Sequence, residues 1–386
     1  MKKHILLLSF IIPIIFAVSC NEHSGVIPTF NYTTDYPVKE FPYEENFNIK
    51  YIPIETDSIM VNRCRVIYSS TNLTIALTGK DYKFIFINDD GKIIKSFSRL
   101  GNAPGEYTSI TDVFYDAINK EFFILDSRKG EILILDNDGV YKNAYTVNKE
   151  HNIASIMDFN SHSFISYNNL FGFSDKENKY GSYSIISKKD GSIIKNIIIN
   201  PTEKEKRYPT VIHLPNYIAV FKMSNLIPNK DFAILDEAYC DTIYKINRTN
   251  YTMEPYYIKS PAFNTFPQND KYFLETCMDT PNYTVFFKLN VKYDDSKANL
   301  IQEEFFYDKR EQKFYKSGNK YINNQKVGPF DEQNYNNYGL FGYSIDIIDL
   351  FKMDEQGILG APLKSILSKA NENDNPVLVL MSLKEK

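Results

Sequence analysis

Residues 110–147 read ITDVFYDAINKEFFILDSRKGEILILDNDGVYKNAYTV, and this stretch decides the fold. Its two apolar runs, Phe122–Leu125 and Ile132–Leu135, are separated by a turn that ends at Gly130. A second turn, which ends at Gly139, leads into a further run of residues that suit a strand. Short strands joined by tight turns over about 40 residues are typical of one blade of a β-propeller.

The same turn signal recurs along the chain. An Asp-Gly pair lies between β-rich runs at Gly91, Gly139 and Gly191, about 50 residues apart, which is the length of one propeller blade. Asp followed by Gly is a strong hairpin signal, because Gly adopts the positive φ that the turn requires. Several of the neighbouring runs are apolar at consecutive positions, which indicates strands that are buried on both faces.

Six β-rich blocks follow one another after the first 46 residues. A single blade cannot bury its own apolar faces, so the blades must stack and close into a ring. The sequence therefore predicts an all-β fold, a six-bladed β-propeller of four-stranded antiparallel blades over residues 47–386. Two or more separate β domains are the alternative. The blocks are Val66–Phe97, Ile110–Val147, Ile153–Ile199, Val211–Lys259, Tyr272–Tyr315 and Tyr338–Leu383.

The two ends of the propeller are expected to meet. We expect Asn48–Ile54 to pair with strands of the last block, because ring closure removes exposed sheet edges that favour aggregation. Deletion of residues 47–56 is therefore expected to cost far more stability than deletion of residues 21–40. Helical periodicity is nearly confined to Leu363–Ala370, where we expect a short helix or two turns before the last strand.

The first 19 residues are predicted to be a lipoprotein signal peptide. Lys2 and Lys3 precede an apolar stretch that is too short to span a bilayer comfortably. The stretch ends in Ala17-Val18-Ser19-Cys20, which is similar to a bacterial lipobox, where the Cys is acylated through its sulfur. An ordinary signal peptide that is cut near Cys20 is the alternative. Residues 20–46 are polar and rich in Pro, and we expect the lipidated Cys20 followed by a flexible tether.

Composition narrows the class of protein. A formal net charge of −4 over 386 residues gives no reason to expect a nucleic-acid partner. The 29 Tyr and 28 Phe residues fit an all-β protein. The later cysteines, Cys64, Cys240 and Cys277, match no metal-binding spacing. We expect three buried thiols, and a single disulfide in an oxidising compartment is the alternative.

Three stretches carry a resemblance to a known family: Tyr51–Thr56, Arg99–Tyr107 and Asn375–Leu380. Together with the lipobox, they resemble the six-bladed β-propeller lipoproteins of Bacteroidetes, which are related in shape to NHL-repeat propellers. Ala103 stands where that family usually has another Gly. The resemblance implies a propeller held at the bacterial cell envelope as an outer-membrane lipoprotein, on the periplasmic or the surface side. It implies no shared activity and transfers no catalytic residues.

The segment Arg99–Tyr107 has two interpretations. Pro104-Gly105 is a turn pair, and in propellers a loop at this position faces the mouth of the central channel. In the first interpretation, Arg99, Glu106 and Tyr107 contact a ligand. In the second, which we favour, the loop is a tight crossover between blades, and the Glu106 carboxylate caps backbone N–H groups.

Four further side chains are candidates for a channel site. His151 and His213 lie close to strands that are expected to be innermost, and Asp112 and Asp158 lie on inner strands. Two carboxylates that approach each other can act as acid and base. Propeller enzymes of the lactonase type hold Ca²⁺ in the channel, and lyase types use His. The alternative is that both histidines are buried structural residues.

Two functions follow from this pattern. The first is a binding or scaffold lipoprotein, joined to the membrane by its lipid anchor, whose propeller holds a glycan, a peptide or an envelope protein. The alternative is a metal-assisted lactonase or polysaccharide lyase centred on the channel. The sequence predicts no cofactor. A Ca²⁺ ion or another divalent metal bound in the channel is the alternative. Binding is the preferred hypothesis, since no catalytic motif is recognisable in the chain.

Overall fold

The computed structural model describes residues 26–56, 59–61, 63–79, 81–147, 153–168, 182–199, 211–214, 217–220, 225–237, 240–262, 265–266, 270–294, 297–318 and 340–384. At residues 211–214, 217–220, 225, 270–271, 291–294, 297–300 and 340, the description covers the backbone alone. The predicted signal peptide, Cys20 and His151 lie outside the described residues.

Strands dominate the described chain. The N-terminal part contains β1 (Thr29–Asn31), β2 (Val38–Lys39), α1 (Tyr43–Asn46) and β3 (Phe47–Pro53). The middle part contains β4 (Cys64–Ser69), β5 (Thr74–Thr78), β6 (Phe84–Ile87), β7 (Ile93–Phe97), β8 (Asp112–Asp116), β9 (Glu121–Asp126), β10 (Glu131–Asp136), β11 (Tyr141–Thr146), β12 (Ile153–Asp158), β13 (Ser163–Asn168), β14 (Tyr183–Ser187) and β15 (Ile193–Ile197). The remainder contains β16 (Val211–Leu214), β17 (Tyr217–Val220), β18 (Asn225–Pro228), β19 (Phe232–Asp236), β20 (Thr242–Asn247), β21 (Met253–Ser260), β22 (Asp270–Asp279), β23 (Tyr283–Asp294), β24 (Lys297–Asp308), β25 (Lys313–Ser317), β26 (Leu340–Ile345), α2 (Ile347–Glu355), α3 (Ala361–Leu367) and β27 (Val377–Leu383).

In the described residues the strands form seven sheets, and six of these are the blades of a propeller. Blades one to three are the antiparallel sheets β4–β7, β8–β11 and β12–β15. Blades four and five are β18–β21 and β22–β25, and each gains a fifth strand, β1 and β2 respectively. Blade six contains β26, β27 and β3 in its described part, and β16 pairs with β17 in a separate hairpin. The all-β, six-bladed prediction is confirmed.

The predicted turn glycines lie between the third and fourth strands of blades one, two and three. Gly91, Gly139 and Gly191 have φ values of 86°, 76° and 72°, which favour Gly over other residues. Each turn also touches the outer strand of the preceding blade, because a Cβ on Gly139 would lie 2.5 Å from the Phe97 ring. A Cβ on Gly191 would lie equally close to Tyr145. These positions therefore need Gly for conformation and for space.

The hydrophobic core lies between the blades, where aromatic rings from facing sheets pack together. Phe84 of blade one and Phe122 of blade two have ring centroids 4.7 Å apart. Tyr257 of blade four meets Phe286 of blade five edge to face at 5.1 Å. Both faces of most sheets are therefore buried, which explains the consecutive apolar positions of the sequence.

The ring closes as predicted. β3 pairs with β27 in an antiparallel register that runs from Phe47–Leu383 to Pro53–Val377.

The predicted helix before the last strand is present as α3, and α2 precedes it. The three cysteines after Cys20 are free and buried, as expected.

The expected flexible tether is wrong for residues 26–46, which we call the strap. β1 pairs in parallel with β21, and β2 pairs in parallel with β25. Phe30 is fully buried, and its ring lies 5.2 Å from that of Phe305 in blade five. Phe41 is also buried and packs on Tyr283 at 5.2 Å. Burial of these aromatic side chains holds the strap to the rim of blades four and five, because it removes a large apolar area from water.

Replacing Gly139 with Ala should lower the urea midpoint of unfolding. The left-handed backbone costs an L-residue roughly 1–2 kcal/mol, and the new Cβ must also displace the Phe97 ring. Gly357 is the matched control, because it has φ +70° and nothing within 4 Å of its Cβ position. Gly357→Ala should show the conformational cost alone. Equal losses in the two variants would show that the contact between blades contributes nothing.

Replacing Phe30 with Ala should destabilise the protein by about 3–5 kcal/mol, because it leaves a cavity between blades four and five. Val38→Ala is the control in the same strap, since that side chain is 70% exposed and should change stability little. Thermal unfolding measures both variants. A Phe30 variant as stable as the Val38 variant would restore the tether interpretation. The burial of Phe30 removes the reason to expect deletion of residues 21–40 to be nearly harmless.

Candidate functional site in the central channel

The first strands of the blades lie next to the propeller axis, and their inner edges expose backbone groups that need partners. Arg65 on β4 donates from Nη2 to Asp112 Oδ1 at 3.1 Å and to the carbonyl oxygen of Val113 at 3.3 Å. Asp112 Oδ2 accepts a hydrogen bond from the backbone N–H of Ile156 at 2.9 Å. One ion pair thus links the inner strands of blades one, two and three.

Both side chains of this pair keep contact with solvent, whereas the aspartates paired with Lys188 and Lys309 are buried. The side chains of Arg65 and Asp112 are 23% and 19% exposed. Nε and Nη1 of Arg65 donate no hydrogen bond to any residue in the described ranges. A guanidinium that is held on one side and open on the other can bind a carboxylate or a phosphate.

The segment Arg99–Tyr107 makes its contacts within the chain. The buried Tyr107 hydroxyl donates to the carbonyl oxygen of Tyr82 at 2.6 Å and accepts from the N–H of Arg99 at 3.0 Å. The pKa of Tyr107 is raised above its ordinary value, and burial is the largest cause. Glu106 Oε2 accepts from the N–H of Ala103 at 2.9 Å, and Arg99 Nε donates to the carbonyl oxygen of Gly139 at 2.7 Å. These are the contacts of an inter-blade crossover, the second interpretation of the sequence.

Asp112 and Asp158 bind different cations, and Asp158 is buried, so the two do not form an open acid–base pair. Asp112 begins β8, whereas Asp158 ends β12, the first strand of the next blade. Lys188 Nζ lies 2.6 Å from Asp158 Oδ1 and 2.7 Å from Asp116 Oδ2. All three of these side chains are buried between blades two and three. They form a buried ion-pair cluster that holds the two blades together, and we call this cluster the lock.

The two aspartates of this lock have opposite pKa shifts. Burial raises the pKa of Asp158 above its ordinary value, and the charge of Lys188 only partly compensates. Burial also acts on Asp116, but hydrogen bonds from Lys188 and Asn119 outweigh it and lower the pKa of that carboxyl. One lysine therefore serves two carboxylates, and Asp116 is the better stabilised of the two.

Of the candidate histidines, the structure describes the backbone of His213. The first strand of blade four is β18, whereas His213 lies in the separate β16–β17 hairpin, where its backbone is opposite Ile218. The sequence interpretation of His213 as an inner-strand residue of blade four is therefore wrong. His151 and the lipid-attachment residue Cys20 lie outside the described residues. In the described ranges, no three His, Cys, Asp or Glu residues are grouped to hold a metal ion.

Sequence reasoning missed a recurring basic residue. Lys188, Arg248 and Lys309 each follow directly after the third strand of a blade. Lys309 Nζ lies 2.8 Å from Asp279 Oδ1 at the end of β22, and Arg248 Nε donates to the carbonyl oxygen of Asn229 at 2.8 Å. Each cation therefore holds the end of the first strand in its own blade. A basic residue recurs at the same position in three successive blades. An alignment of the blade sequences with one another would have revealed it.

None of the helices in the described part has the length and apolar composition needed to cross a lipid bilayer. The sequence model of the DUF4934 family, described as a domain of unknown function, matches residues 44–382. No curated protein matches this chain in sequence.

Two solved structures resemble the propeller. A candidate exported protein from Bacteroides fragilis has a TM-score of 0.65 at 15% identity, and the match covers 93% of this chain and 100% of that chain. A member of the DUF4221 family from Bacteroides vulgatus has a TM-score of 0.50 at 9% identity, with 88% of this chain and 97% of that chain covered. At these identities, the likeness establishes the fold alone.

Replacing Lys188 with Met should destabilise the protein by roughly 3–5 kcal/mol at neutral pH, because two buried carboxylates lose their counter-charge. Without Lys188, burial of the two carboxylates is no longer offset by its charge, and we expect the pKa of each aspartate to rise. Their ionisation then disfavours folding above the ordinary carboxyl pKa, and this penalty falls as the pH decreases and they become protonated. Urea unfolding between neutral and acidic pH should therefore show a deficit that shrinks with acid.

Lys142→Met is the control for this measurement. Lys142 pairs with Glu121 at the surface, where its side chain is 49% exposed, and surface pairs contribute little to stability. A Lys188 variant that behaves like the Lys142 variant at every pH would contradict the structural role of the buried lock.

Proposed function

The chain belongs to the DUF4934 family, and we propose that it acts as a lipid-anchored binding module of the bacterial cell envelope. The lipobox-like Ala17-Val18-Ser19-Cys20 after a short apolar stretch supports the anchor. The resemblance to Bacteroidetes lipoproteins supports the outer membrane as its location. Propellers use their channel mouths and rims to hold partners, but the fold alone leaves the ligand open.

The observation that carries the proposed binding role is the Arg65–Asp112 pair in the channel. Most charged groups at the ends of the inner strands are buried and saturated by partners in this chain, as Asp116, Asp158 and Asp279 are. The side chain of Arg65 is fixed in place by Asp112 and keeps contact with solvent, and Nη2 is the guanidinium nitrogen that bonds residues of the described chain. We assign it the recognition of a carboxylate on the ligand, which an acidic glycan, a peptide C-terminus or an envelope protein can present.

The same geometry argues against the enzyme alternative built on Asp112 and Asp158. General acid–base chemistry requires both groups within reach of one substrate. Asp158 is instead buried in the contact between blades two and three. The proposed function is therefore binding, with Asp112 as the group that positions Arg65.

Replacing Arg65 with Leu should weaken carboxylate binding at least about tenfold, which corresponds to losing one charge-assisted hydrogen bond. Calorimetric titration of the mature protein uses two matched pairs of probes. The first pair is an oligogalacturonate and its methyl ester, and the second is a peptide with a free or an amidated C-terminus. We expect one acid form to bind and its neutral counterpart to bind far more weakly.

Arg63→Leu is the control for the Arg65 variant. Arg63 lies two positions earlier, its side chain is 77% exposed, and it pairs with Asp346. Its loss changes the net charge equally and should leave binding unchanged. If the Arg65 and Arg63 variants bind the acid form equally well, the channel arginine is not the recognition group. Circular dichroism of both variants confirms that the fold is retained.

A further inference from the structure

The strap shortens the connection between the lipid anchor and the propeller. The sequence interpretation placed a free tether from Cys20 to Asn46, which would reach about 90 Å when extended at ~3.3–3.6 Å per residue. The structure fixes the strap as early as Thr29. From Cys20 to Thr29 the chain reaches only about 30 Å on the same scale. The longest possible distance between rim and anchor is therefore roughly a third of what a free tether would allow.

The attachment of the strap extends over two blades. At blade four, the N–H of Ile258 donates to the carbonyl oxygen of Pro28 at 3.0 Å, and that of Tyr32 donates to Ser260 at 2.8 Å. At blade five, the N–H of Lys316 donates to the carbonyl oxygen of Pro37 at 3.0 Å. Because Phe30 and Phe41 are buried beside these strands, release of the strap would expose two aromatic side chains to water.

The outward side of the strap carries two exposed valines and also exposed acidic side chains, Asp35, Glu40, Glu44 and Glu45. Val26 is 95% exposed, and Val38 is 70% exposed. Val26 lies between the predicted acylated residue and the first strand of the strap. Small apolar side chains next to a lipid anchor gain free energy at the boundary between headgroups and acyl chains. A bilayer therefore fits the segment around Val26, which lies next to the predicted anchor.

We infer that the rim of blades four and five faces the bilayer, an inference that rests on the proposed lipid anchor. The short connection keeps this rim near the headgroups, and blade one, which is opposite blade four in a ring of six, points away from the membrane. Attachment at the rim leaves both mouths of the channel open to ligands from the envelope. Attachment of the strap thus determines the orientation of the propeller relative to the membrane.

The test measures the depth of single fluorescent labels on the acylated protein in phosphatidylcholine vesicles. Val38→Cys places a label on the strap, and Ile94→Cys places one on the 56% exposed position of blade one. The native thiols stay unlabelled, because Cys64, Cys240 and Cys277 are buried and burial raises the pKa of Cys64 and Cys240 to about 12. Lipids with a nitroxide on the headgroup then quench labels that lie near the surface.

We expect quenching at position 38 to exceed that at position 94 several-fold. A flexible Gly/Ser insertion directly before Val26 should remove the difference, because it restores a long reach. Equal quenching at the two positions in acylated protein would overturn the orientation and leave the anchor intact. Intact mass of the mature protein provides the separate readout, since an N-terminus without acyl chains would overturn the anchored function and, with it, this inference.

Discussion

The antiparallel pairing of β3 with β27 is the interaction on which the rest of the propeller depends. It joins residues near the two ends of the folded chain, from Phe47 opposite Leu383 to Pro53 opposite Val377. Every other blade is formed mainly by strands that are close in sequence. The pairing of β3 with β27 therefore has the largest entropic cost of loop closure. Once it forms, blade six packs on blade one, and Ile52 and Leu378 join the core of Ala76 and Ile85.

The strap reinforces the closure over blades four, five and six. It places buried aromatic rings at two successive blade contacts before the chain enters β3. In blades four and five it also covers the outer edge of the sheet with a parallel strand. An uncovered edge invites pairing with another chain, so the strap protects these two blades while it fastens the ring.

Two kinds of ion pair hold the inner strands in the described part of this propeller. Lys188 and Lys309 are placed where desolvated aspartates end the inner strands, and such locks are costly to break because a buried charge would lose its partner. Arg65 and Asp112 satisfy backbone groups on inner edges and keep contact with solvent. In the Arg65–Asp112 pair both side chains are held in place and keep contact with solvent, which is why the proposed binding role is assigned to it.

The sequence by itself determined the local architecture of this protein. Asp-Gly turns and consecutive apolar positions depend on backbone dihedral angles and burial within about 40 residues, so Gly91, Gly139 and Gly191 were predictable. The pairing of β3 with the last block was also predictable, because a propeller must close. Only the tertiary structure decided that the strap is bound and that Lys188 serves two blades. The reason is that both depend on groups far apart in the chain, whose contacts leave no periodic pattern among neighbouring residues.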